Sequence, residues 1–73
     1  MTEGQRMLAR NVWRWREIRR ISASELAERM DWCVIKIEQV ERAEKIDLSL
    51  QDIDELAIAL QIALVDLFRN DVH

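Results

Sequence analysis

The run Glu25-Leu26-Ala27-Glu28-Arg29-Met30-Asp31-Trp32-Cys33-Val34-Ile35-Lys36-Ile37-Glu38-Gln39-Val40-Glu41-Arg42 contains two short helices and the turn between them. Leu26, Ala27 and Met30 recur at the spacing of one helix face, and Asp31 interrupts that pattern after about two turns. Val34, Ile37 and Val40 then form a second stripe, which turns Ile35, Lys36, Glu38 and Gln39 away from the core. The second helix is therefore expected from Cys33 to about Arg42. Cys33 itself reads as a small buried residue, the alternative being a thiolate stabilised at a helix N-terminus.

Upstream, Ser22 precedes the first of these helices and Glu25 follows it at the spacing of a capping box. Before that, Leu8, Val12, Trp15 and Ile18 mark a helix over Gln5 to Arg20, with Trp13 on the outer side. Downstream, Ala43 to Leu48 reads as a loop. Ser49 and Asp52 repeat the capping spacing ahead of Leu50, Ile53, Leu56, Ala57 and Leu60. Ile62, Leu64, Val65, Leu67 and Phe68 are too dense in apolar groups for a solvated tail, and suggest a short fifth helix on the core or on a partner. The pattern predicts an all-α, compact five-helix domain without strands.

A chain of 73 residues has room for a single domain, here residues 1–73. One Cys and one His leave no set for a disulfide or a zinc site, and no cofactor is expected. No nucleophile or acid–base pair suited to catalysis stands out, so the sequence does not read as an enzyme. No apolar run is long enough for a bilayer, and the N-terminal residues lack the apolar stretch of a signal peptide; a cytoplasmic protein without membrane contact is expected. The net charge of −3 hides a segregation. Residues 1–20 carry six arginines against two glutamates, a net of +4, and five basic against twelve acidic residues elsewhere leave −7. A basic face can serve nucleic acid even when the whole chain is acidic.

Arg16-Glu17, Ile21-Ser22, Glu25-Leu26-Ala27-Glu28-Arg29 and Ile37-Glu38-Gln39-Val40-Glu41-Arg42 together resemble the lambda-repressor-like, or Xre, family of helix-turn-helix domains. Ser49-Leu50, Ile53, Leu56-Ala57, Ala59-Leu60, Ile62 and Leu67-Phe68 extend the resemblance, which covers residues 8–68. It implies a homodimeric transcriptional regulator that binds double-stranded DNA at a near-palindromic operator. Helix three would then read bases through Val34, Ile35, Lys36, Glu38 and Gln39, while Ser22, Ser24, Arg42 and Lys45 meet phosphates; Arg14, from the basic N-terminal segment, is expected to meet phosphate as well. The same resemblance implies an ion pair between Arg16 and Glu41, and the apolar density of the C-terminal segment makes Leu64, Val65, Leu67 and Phe68 the expected dimer contacts.

Among these readers, Gln39 suits adenine, Glu38 can accept from cytosine, and Val34 or Ile35 can touch thymine methyls. Four features depart from the family. Ala23 replaces a frequent Gln, Asp31 replaces the turn Gly, Trp32-Cys33 replaces a polar cap, and Ala43 replaces the Gly after the Glu-Arg pair. Asp tolerates the left-handed conformation, Ala much less, so an altered exit from helix three is expected. The acidic body and the run Trp32-Cys33-Val34-Ile35 support a competing reading, a protein-binding module of antirepressor, antiactivator or antitoxin type that engages a regulatory partner through Trp32 and Ile35.

Overall fold

The computed structural model describes residues 3–44 and 48–69, and all regular structure among them is helical. Helix α1 spans Glu3–Arg19, α2 Ala23–Met30, α3 Val34–Glu41 and α4 Leu50–Leu60; a short 3-10 segment, Leu64–Phe68, follows. The expected fifth helix is thus a 3-10 turn, and the five-helix count becomes four helices and that turn.

Local chemistry starts these helices. The Ser22 hydroxyl accepts from the Glu25 backbone N–H at 3.0 Å, satisfying one free donor of α2. The reciprocal half is replaced, because the Glu25 carboxylate instead takes Arg29 at 2.9 Å. At α4 both halves form: Ser49 Oγ accepts from the Asp52 N–H at 3.0 Å, and Asp52 Oδ2 accepts from the Ser49 N–H at 3.1 Å. Before the 3-10 segment, Asp66 accepts from the Ala63 N–H, and Ala63 has no side-chain oxygen to reciprocate.

The helix ends share one device. In a Schellman motif a left-handed residue just past the helix lets two N–H groups return to free carbonyls. Arg20, Asp31, Ala43 and Gln61 occupy that position with φ of 57°, 57°, 56° and 62°, in a chain with one glycine. At the exit of α3 the Ala43 N–H reaches Val40 O at 3.1 Å and the Glu44 N–H reaches Gln39 O at 3.0 Å. The altered exit expected there does not occur; Ala43 takes the glycine conformation and bears its cost, of order 1 kcal/mol.

Val12, Leu26, Ile37, Leu56, Leu60 and Leu67 are completely buried, so every element contributes to one core. The apolar stripes overshoot it at their ends. Ile18 is 43% exposed, Val34 36% and Leu50 80%, each in the first or last turn of its helix, although all three were expected inside. Trp15 packs half-buried against the core, while Trp13 is exposed. The one buried polar side chain among the described residues is Asn11. Its Nδ2 donates to Leu67 O at 2.8 Å and to Arg69 O at 2.9 Å, which ties the 3-10 segment to α1.

Candidate nucleic-acid interface

Two eight-residue helices, α2 and α3, meet through residues 31–33. Asp31 makes the turn in the left-handed region, with the Trp32 N–H returning to Ala27 O at 2.8 Å. Trp32 is half-buried against the core, where its ring and the buried Ile37 flank the start of α3 as a hydrophobic staple does. Cys33 is the N-cap of α3 and is exposed, so the buried residue expected there is not found. The expectation rests on residue type, and a cap residue stands outside the stripe of Ile37 and Val40 that faces the core.

Helix α3 is held from behind by Arg16. Its Nε donates to Glu41 Oε2 at 2.8 Å and its Nη2 to Glu41 Oε1 at 3.1 Å, while Nη1 donates to Ile21 O at 3.1 Å. The two side chains are only 15% and 12% exposed. Hydrogen bonding to Glu41 raises the Arg16 pKa above its ordinary value, against the opposing effect of burial. Because the folded value is raised, this stabilisation is complete below the ordinary guanidinium pKa and is lost only at pH above it.

With its back fixed, α3 presents the residues singled out as base readers as follows. Val34, Ile35 and Glu38 are exposed, Ile35 at 58%. Gln39 is half-buried. Lys36 is also half-buried, its ammonium 4.0 Å from the centre of the Trp32 ring. Of the phosphate candidates, Ser22 and Ser24 are exposed at the start of α2, and the Ser22 hydroxyl keeps its proton to donate while it caps. Arg14 is half-buried, and Arg42 is exposed with Glu44 3.8 Å away. Lys45 lies outside the described residues.

The basic N-terminal segment divides into two kinds of arginine. Arg6 and Arg10 stand one turn apart on the exposed side of α1. Arg16 and Arg19 serve the fold: Arg19 crosses the Trp15 ring at 5.6 Å and donates to Gln61 O at 3.0 Å. Arg29 of α2 donates to Ala59 O at 2.8 Å, so two arginines neutralise the carbonyl end of α4. Sequence charge alone does not separate these roles. Asn11 was missed as well, although a polar residue one step before Val12 on the apolar face of α1 is a visible signal.

The residues expected at a dimer interface split in the same way. Leu64, Val65 and Phe68 are exposed, Val65 at 62%. Leu67 is completely buried in its own chain and is withdrawn from the interface. No group of three metal-ligating side chains occurs among the described residues, and none of their helices is long and apolar enough to cross a membrane. No protein-family model matches the chain, and no curated protein matches it either.

Proposed function

We propose that this chain is a helix-turn-helix regulator of the lambda-repressor-like class, which binds a near-palindromic DNA operator as a homodimer and acts by occupying a promoter. One observation carries the reading: α3 is clamped to α1 by the Arg16–Glu41 fork while its first turns keep Val34, Ile35 and Glu38 in solvent. A groove-reading helix needs that combination of a fixed axis and an uncovered outer face. The exposed hydroxyls of Ser22 and Ser24 and the guanidinium of Arg42 supply phosphate contacts beside it. Leu64, Val65 and Phe68 supply the contact between two copies. Selection from a random duplex pool tests the reading. A palindrome with half-sites about one helical turn apart supports it, and no enrichment counts against it.

A second reading, in which the same surface takes a protein, is favoured by the exposure of Cys33, Val34 and Ile35 beside the acidic Asp31 and Glu38. It differs in salt response, because an apolar interface lacks the steep loss of affinity that follows from releasing counterions.

A further inference from the structure

The outer face of α3 is poor in hydrogen-bond donors. Val34 and Ile35 offer only methyl groups, and an ionised Glu38 offers only acceptors. The one full cation on α3 is Lys36, and its ammonium is held over the Trp32 ring at 4.0 Å. That ring is anchored against the core, so the lysine stem and head are drawn toward the turn. Gln39, which can donate and accept, is half-buried one turn beyond Ile35.

Bases differ in what they ask of such a face. In the major groove guanine shows two acceptors, N7 and O6, and needs donors opposite. Thymine shows a 5-methyl group, and cytosine shows the N4 amino donor. A carboxylate set against guanine leaves acceptors facing acceptors, with no water to relieve them once the groove is closed.

We propose that the first turns of α3 read pyrimidines: Val34 and Ile35 pack on thymine 5-methyl groups, Glu38 accepts a hydrogen bond from a cytosine N4 amino group, and guanine is refused on the strand that these residues face. The inference rests on the DNA-binding reading above and specifies its substrate. Affinity then comes from phosphates, and the preference from shape and from the missing donors.

The test uses the full chain and the duplex enriched from a random pool. Each thymine of the half-site is replaced in turn by deoxyuridine, which removes the methyl group and nothing else. At the positions under Val34 and Ile35 the substitution weakens binding roughly three- to fivefold, the value of one buried methyl. Ile35→Ala, at an exposed position where the fold is not at stake, binds the thymine and uracil duplexes equally at its own position. Glu38→Gln, which gains a donor, admits guanine in place of cytosine. Uracil duplexes bound as tightly as thymine duplexes throughout overturn the pyrimidine reading and leave operator binding standing. So does an enriched guanine whose preference disappears in Lys36→Ala. A pool from which nothing is enriched overturns operator binding, and this inference with it.

Discussion

Arg16 and Glu41 stand 25 residues apart in the chain and meet as a two-point fork, with contacts of 2.8 and 3.1 Å. The fork joins the last turns of α1 and α3, and its third nitrogen also holds the carbonyl of Ile21. Removing Glu41 leaves a nearly buried guanidinium with one partner, so Glu41→Ala is expected to destabilise the fold by about 2–4 kcal/mol. Arg16→Lys keeps the charge and loses the fork, and is expected to cost about half as much. Urea titration of both variants checks the order. Equal stability of wild type and Glu41→Ala contradicts the structural role.

Ala43 has φ of 56° with a Cβ that crowds its own carbonyl. Ala43→Gly relieves the crowding at a site that already has its Schellman bonds, for a gain of about 1 kcal/mol and a rise in Tm of roughly 4–8 °C. Asp31→Gly is expected to gain less, since Asp is at ease in this region. A thermal melt of each variant decides it; a lower Tm for Ala43→Gly refutes the strain.

Asn11 donates to both Leu67 O and Arg69 O from inside the core. Asn11→Ala leaves the buried carbonyl of Leu67 without this donor, at a cost of about 1–3 kcal/mol, and loosens the 3-10 segment. Asn11→Asp points a carboxylate at two carbonyl oxygens, which raises its folded pKa. That variant therefore loses stability as pH rises through the ordinary carboxylate range, and regains part of it in acid relative to wild type. Denaturation at two pH values measures the difference, and an Asn11→Asp whose stability relative to wild type is the same at both contradicts this account.

How much of this was legible in the sequence depends on how local each feature is. The caps at Ser22 and Ser49 follow from short-range chemistry and stand where the spacing puts them. The pairing of Arg16 with Glu41 came through the resemblance, since no local rule joins residues so distant. Periodicity identified the buried faces but not their limits. It could not tell that neighbouring elements leave Ile18 and Leu50 uncovered, or that a single 3-10 turn buries Leu67 and exposes Leu64, Val65 and Phe68. Ala43 defeated the propensity argument because the two Schellman bonds outweigh the cost of its conformation.

That split in the 3-10 segment makes the proposed dimer testable against the wild type. Val65→Asp alters a side chain exposed in the single chain, so the variant is expected to fold normally and to be monomeric at micromolar concentration by light scattering. Leu67→Asp puts a charge in the core and is expected to unfold the domain. A dimeric Val65→Asp places the interface elsewhere.

In the proposed function the outer face of α3 reads DNA while flanking residues hold phosphates. The most direct measurement is the affinity of the chain for its selected duplex and for a scrambled duplex, between about 50 and 200 mM salt. Tighter binding to the selected duplex at every salt concentration is expected, with a steep linear fall of log affinity with log salt. Arg42→Ala is expected to make this slope shallower by about one for both duplexes, and Gln39→Ala to weaken only the selected one, by roughly 1–3 kcal/mol. Equal affinity for the two duplexes, or a Gln39→Ala variant with unchanged affinity and preference, contradicts it.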